Sequence, residues 1–240
     1  MSAARRRGLG GATLGGALVA GLAGCGSDAA PAAIDARALD AGPGWATYRI
    51  DVGRHDAEIL DGTSAHPVRG LVMVGARDYA FRFDATARYT ITAPVEPGDQ
   101  LDWNKLPGLS DCDTVDLSVD GAMFGWRWRL DVEPPHLEVT AYANNAGVHL
   151  TPAEPLLTLS ADELAAATPL RYRLALDGAV YRFAIDGAIA GRPIAAATTL
   201  PRACPATPVD SFKWAAGLYF GGTSTAPSVI TGGILERLGP

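Results

Sequence analysis

Arg171-Tyr172-Arg173-Leu174-Ala175-Leu176, then Asp177-Gly178-Ala179, then Val180-Tyr181-Arg182-Phe183-Ala184-Ile185, carries the plainest structural signal in the chain. In both runs large apolar residues recur at every second position, the period of a strand with one buried face. The Asp-Gly pair between them takes the backbone angles that a tight hairpin requires. The same period recurs at Tyr79, Phe81 and Phe83, which alternate with Ala80 and Arg82. In Ala122–Leu130 one face carries Phe124, Trp126, Trp128 and Leu130, and the other carries Gly125, Arg127 and Arg129. Beyond the Pro134-Pro135 corner, Leu137, Val139 and Ala141 oppose Glu138, Thr140 and Tyr142. Further strands are expected at Gly70–Val74, Arg88–Thr92, Val115–Val119, Phe212–Phe220 and Ser228–Leu235, with one short helix over Ala161–Ala167. Many short strands divided by turn residues read as an all-β sandwich over residues 45–240.

The first 44 residues read differently. Arg5, Arg6 and Arg7 precede an apolar run of 15 residues, Leu9 to Ala23, that ends in Leu22-Ala23-Gly24-Cys25. A charged start, a short apolar stretch and small residues before a cysteine form a lipoprotein signal peptide over residues 1–24. The run is shorter than the roughly 20 residues a spanning helix needs. Cys25 then becomes the acylated first residue, and residues 25–44, rich in Ala, Asp, Pro and Gly, are expected to be a disordered tether. Gly26 and Ser27 follow the cysteine with no aspartate directly after it, which by resemblance to known lipoprotein sorting rules implies the outer membrane, with the domain expected on the periplasmic or outer face.

The chain carries 20 Lys and Arg against 26 Asp and Glu, a net charge of −6. Signal cleavage removes three arginines and no acid, which makes it more acidic still. That balance excludes general nucleic-acid binding, which needs basic residues to neutralise phosphates, and leaves the lipid to hold the membrane. With Cys25 acylated, Cys112 and Cys204 remain as an even pair in an oxidising compartment, and a disulfide between them is expected. No zinc spacing, phosphate-binding glycine loop or nucleophile elbow is present, and no cofactor is expected. Asp111, Asp113 and Asp116 form an acidic loop weighed as a structural Ca²⁺ site, without EF-hand spacing.

Tyr172–Gly178 followed by Tyr181–Gly187 resembles the hairpin of concanavalin-A-like jelly rolls, a fold shared by lectin, laminin-G-like and polysaccharide-processing domains. Asp102-Trp103-Asn104-Lys105-Leu106, Phe124-Gly125-Trp126-Arg127-Trp128 and Tyr219-Phe220-Gly221-Gly222 resemble segments of a loose set of bacterial secreted proteins. The resemblance implies a jelly-roll sandwich.

Lys105 and Lys213 are the only lysines, and both fall in or beside those segments. As compact point charges they differ from the planar guanidinium used elsewhere in the chain. Strand alternation over Phe212–Tyr219 would put Lys213, Ala215, Gly217 and Tyr219 on one face, as a groove bearing a cation and a phenol. That run is similar to the Phe-Lys-Ala-Gly-x-Tyr strand of jelly-roll alginate lyases, although here Lys and Tyr lie six positions apart. The similarity implies β-elimination from a uronate. Lys213 would then supply charge, Tyr219 would transfer a proton, and Arg127 or Arg129 would meet the carboxylate. Asn104 and Lys105 are candidate ligand contacts; Asn104 equally suits the Pro107-Gly108 turn, and Arg127 and Arg129 equally suit Glu138 across the hairpin. Trp126 and Trp128 read as core, while Trp45 and Trp103 are freer to act as sugar platforms. His55, His66, His136 and His149 stand alone near turns and read as surface residues.

Three functions follow. The first is an envelope lipoprotein whose jelly roll binds carbohydrate or another envelope ligand. The second is a polysaccharide lyase. The third is a structural envelope protein without a small ligand, which requires those polar groups to be buried or scattered.

Overall fold

A computed structural model of the chain describes residues 44–60 and 69–236. The expected signal peptide, Cys25, the tether up to residue 43, and His66 lie outside the described residues. Among the described residues fifteen strands form two sheets. The first has the order β13 (Arg192–Pro201), β12 (Val180–Ile189), β11 (Leu170–Asp177), β4 (Ala76–Phe83), β15 (Ile230–Glu236), β1 (Ala46–Ile50) and β2 (Glu58–Ile59). The second runs β10 (Leu157–Ser160), β8 (His136–Asn145), β7 (Gly121–Arg129), β6 (Gly108–Ser110), β14 (Lys213–Ala216) and β3 (Gly70–Val72). In addition β5 (Asn104–Lys105) pairs with β7, and β9 (Val148–Leu150) pairs with β8. Packed face to face, the sheets make the all-β jelly-roll sandwich expected from the alternation.

The Asp-Gly hairpin is β11–β12, with Asp177 opposite Val180 and Gly178 at a positive φ of 55°. Its inward residues Tyr172, Leu174, Leu176, Tyr181, Phe183 and Ile185 join the core, as do Phe124, Trp126 and Trp128 of β7. Phe124 closes the gap between the sheets edge-on, 5.2 Å from the Tyr172 ring and 5.2 Å from Phe183. Truncation there leaves a cavity that neither sheet can fill by side-chain motion alone. Phe124→Ala is therefore expected to cost about 3–5 kcal/mol, read from denaturant unfolding. Arg77 ties the layers together a second way. Its buried guanidinium holds Glu236 in a bidentate pair at 2.8 and 2.7 Å and donates to the carbonyls of Gly108 and Ala216 in the opposite sheet.

Three expected elements differ. Arg88–Thr92 is irregular, because Ile91 N–H is taken by the Gln100 side chain at 2.8 Å and not by a neighbouring strand. Val115–Val119 is a turn: Asp116 accepts from Ser118 N–H at 2.8 Å, and its carbonyl accepts from Val119 at 3.1 Å. Such local side-chain bonds compete with a ladder. The Phe212–Phe220 run is a strand only over Lys213–Ala216. The expected helix is α1 (Ala161–Ala165), begun by a reciprocal capping box between Ser160 and Glu163.

The outer face of the second sheet is not open to water. Glu138, Thr140, Tyr142 and Asn144 point away from the core yet are buried. The segment carrying Leu101 and Trp103 lies over Arg127, and the loop carrying Leu117 lies over Asn144. Between these covers a cleft remains.

Candidate functional site

The cleft holds about 350 Å³ and is lined by groups from β5, β7, β8, β9 and β14, together with Asp56, Arg69 and the Asp116–Ser118 turn. Register explains what meets there. Lys105 lies opposite Gly125, Gly125 opposite Thr140, and Met123 opposite Tyr142, so Lys105 and Tyr142 share the outer face across a strand that carries no side chain at Gly125. A Cβ at Gly125 would meet Thr140 at 3.2 Å and Trp103 at 3.3 Å, so the position holds the cover close. Lys105 Nζ sits 4.9 Å from the Tyr142 ring centroid and donates to the Trp103 carbonyl at 2.5 Å. Burial pushes the ammonium down to about 8, with the Asp102 carboxylate opposing the shift. Burial, then Asp102, pushes the Tyr142 phenol up to about 12, so it stays protonated.

His149 packs beside Tyr142, with ring centroids 5.6 Å apart and tilted by 38°. The β8–β9 hairpin sets it directly across from Asn144, and its Nδ1 lies 2.5 Å from Asn144 Oδ1. Tyr219 enters from the other side. Its backbone pairs with Lys105 in both directions, at 2.8 and 3.0 Å, and its ring stacks on His55 at 5.3 Å. Burial and then Asp56 raise its phenol. At the rim Trp214 is 40% exposed. The cleft thus gathers one ammonium, two phenols and one imidazole, the parts needed to neutralise an acid and move a proton.

Of the candidates named from sequence, Lys105 and Tyr219 meet in this cleft. Lys213 does not. Its strand turns Lys213 and Ala215 into the sandwich and Trp214 and Ala216 toward the cleft, the reverse of the expected face, and it ends before Tyr219. The Lys213 ammonium donates to the Ser211 carbonyl and hydroxyl, both at 3.0 Å, and lies 3.9 Å from Asp111. Asn104 is buried, donating to the Tyr89 hydroxyl at 3.0 Å and accepting from Gly221 N–H at 2.8 Å, so it pins two loops. Arg127 and Arg129 both hold Glu138, at 2.8 and 2.7 Å, and Arg129 also holds Asp131. Trp103 and Trp45 are faced by Arg127 and Arg82 at 4.0 and 4.7 Å. Cys112 and Cys204 are joined in a disulfide. In the acidic loop, Asp111 grips Arg202 and accepts from Tyr181, while Asp116 accepts from Ser118.

Tyr142, Asn144 and His149 were not named as site residues from the sequence. One signal was present. Asn145-Ala146-Gly147-Val148 is a two-residue hairpin turn, with Ala146 and Gly147 at φ 51° and 77°, and it sets Asn144 against His149.

No family model matches the chain, and no curated protein matches it. Among solved structures it is similar to the alginate lyase from Klebsiella pneumoniae, at 13% identity and a TM-score of 0.37. That match covers 66% of this chain and 56% of the lyase, so the chain spans little more than half of that enzyme. The κ-carrageenase from Pseudoalteromonas carrageenovora, solved with an oligotetrasaccharide of κ-carrageenan, matches at 7% identity and a TM-score of 0.29, covering 82% of each chain. LamAcat from Zobellia galactanivorans matches at 10% identity and a TM-score of 0.21, over 80% of this chain and 61% of that one. At these scores none of the three decides an activity.

Proposed function

We propose that the cleft binds an acidic, uronate-bearing polysaccharide and cleaves it by β-elimination. The observation that carries this reading is the convergence of Lys105, Tyr142 and His149 in one cleft on the outer face of the second sheet. Lys105 pairs with the carboxylate and draws charge from the adjacent C5, which makes its proton removable. His149 takes that proton as the C4–O4 bond breaks with its electron pair on oxygen. Tyr142 delivers its phenolic proton to O4, a C4=C5 double bond remains, and water returns the proton from His149 to the phenolate. Trp214 and Tyr219 offer exposed rings to the apolar faces of neighbouring sugars. The lipobox-like Leu22–Cys25 adds that this chemistry would occur on a chain anchored in the envelope.

The test is electrophoresis of the protein through gels containing uronate polymers or neutral glucans, with parallel assays for ultraviolet absorbance of the unsaturated product. Uronate polymers are expected to retard the protein and to yield that product. Tyr142→Phe is expected to keep the retardation and lower kcat about 10²–10⁴-fold. Retardation with no unsaturated product from any polymer would leave a binding module. Equal retardation by neutral glucans would overturn the uronate assignment.

A further inference from the structure

We infer that Asn144 is a positioning residue that sets the tautomer of His149, leaving Nε2 as the basic nitrogen in the cleft. The base role rests on the proposed β-elimination; the tautomer assignment does not.

The amide of Asn144 is buried and has two fixed neighbours. One is the Leu117 carbonyl, 2.5 Å from Nδ2. A carbonyl oxygen only accepts, so the amide nitrogen must face it and the amide cannot be flipped. Oδ1 is thereby turned toward His149 Nδ1. Since Oδ1 only accepts as well, Nδ1 must carry the proton. In a neutral imidazole the lone pair is then on Nε2. Among the described residues no protein hydrogen bond reaches Nε2, and the ring that bears it lines the cleft.

The support is also braced from outside the hairpin. The Leu117 loop is tied to the β8–β9 turn by Gly147 N–H to the Val119 carbonyl and by Ala146 N–H to Asp120, both at 2.8 Å. Loop, amide and imidazole therefore form one chain, Leu117 carbonyl to Asn144 to His149. The Tyr142 ring packs against the imidazole, and Asp102 is coupled to it through its charge. Neither offers Nδ1 an alternative acceptor among the hydrogen bonds of the described residues.

The experiment is nitrogen-resolved NMR of the imidazole in the full chain at a pH where His149 is neutral, read beside steady-state kinetics. The unmodified chain is expected to show Nδ1 protonated and Nε2 bare. Asn144→Leu is expected to lose that signature and to lower kcat about 10–100-fold, with KM within about twofold. Asn144→Asp keeps an acceptor toward Nδ1 but loses the donor to the Leu117 carbonyl, so it should retain Nδ1–H and recover part of the rate at a cost in stability. A proton on Nε2 in the unmodified chain overturns the inference, and so does an Nδ1–H signature that survives Asn144→Leu. Should the leucine variant fail to fold, Asn144→Ala takes its place, and an Nδ1–H signature that survives in it overturns the inference in the same way. If no polymer is cleaved at all, the lyase reading falls, while the tautomer measurement stands on its own.

Discussion

Lys105→Met is expected to lower kcat/KM on a uronate polymer about 10²–10³-fold, the size of losing one preorganised charge at a developing oxyanion. The variant keeps most of the apolar stem and removes the ammonium that sits over the Tyr142 ring. The unmodified chain should show the same dependence through pH. Burial holds the Lys105 ammonium down at about 8, so the charged form, and cleavage with it, is lost as pH rises through that value. Lys105→Arg stays charged and should keep activity to higher pH, at a reduced rate because a planar fork replaces a compact cation. Initial rates of the three proteins across pH check this. A flat profile through pH 8 in the unmodified chain would remove Lys105 from the chemistry.

Stability should move in the opposite direction over the same range. The folded-state value lies below the unfolded one, so between about 8 and 10.5 the unfolded chain holds more of this proton. Raising pH through that window therefore favours the fold. Below it, the half-hidden charge is a cost that the fold carries for the cleft, and Lys105→Met should be no less stable there. Thermal unfolding on either side of pH 8 separates this from a general loss of structure. A group that costs stability where it supplies activity is the pattern expected of a functional position.

The sheets were legible because period two is a local property. Each of β4, β7, β8, β11 and β12 carries its buried face in its own residues, and Asp177-Gly178 marks the hairpin without outside help. Lys105 was legible by its rarity. Alternation alone does not say which of two faces is inward when both are mixed, and β14 is such a case. Trp214, which hydrophobicity would bury, faces the cleft, and Lys213 goes in because Asp111, about a hundred positions earlier, waits for it. Part of the cleft wall comes from irregular segments such as Asp116–Ser118 and Gly217–Tyr219, whose positions depend on bonds to distant strands. His149 looked solitary in sequence for the same reason. Its partner is visible only once the Ala146-Gly147 turn is taken as a hairpin and the register is counted.

Asp111→Ala is expected to be the most damaging single substitution outside the core, costing about 3–5 kcal/mol, a large share of the roughly 5–15 kcal/mol that holds a domain folded. Asp111 is fully buried between two cations. Both its oxygens take the Arg202 guanidinium, one of them at 2.9 Å, and Lys213 lies 3.9 Å away with no exposed surface. Removing the carboxylate leaves two buried positive charges facing each other. Removing one cation does the reverse. Burial holds the Lys213 ammonium below its ordinary value against the pull of Asp111, with Arg202 adding to the shift and Asp113 and Asp210 opposing it, so what Lys213 costs the fold is chiefly the burial of its charge. Lys213→Met fills a similar volume and leaves a matched Asp111–Arg202 pair. It should therefore be neutral or mildly stabilising and should cleave polymer at the unmodified rate. Urea unfolding and initial rates on the two variants test the cluster together. A folded Lys213→Met protein that no longer cleaves would return Lys213 to the site, and an Asp111→Ala protein of ordinary stability would mean that the three charges are not buried together.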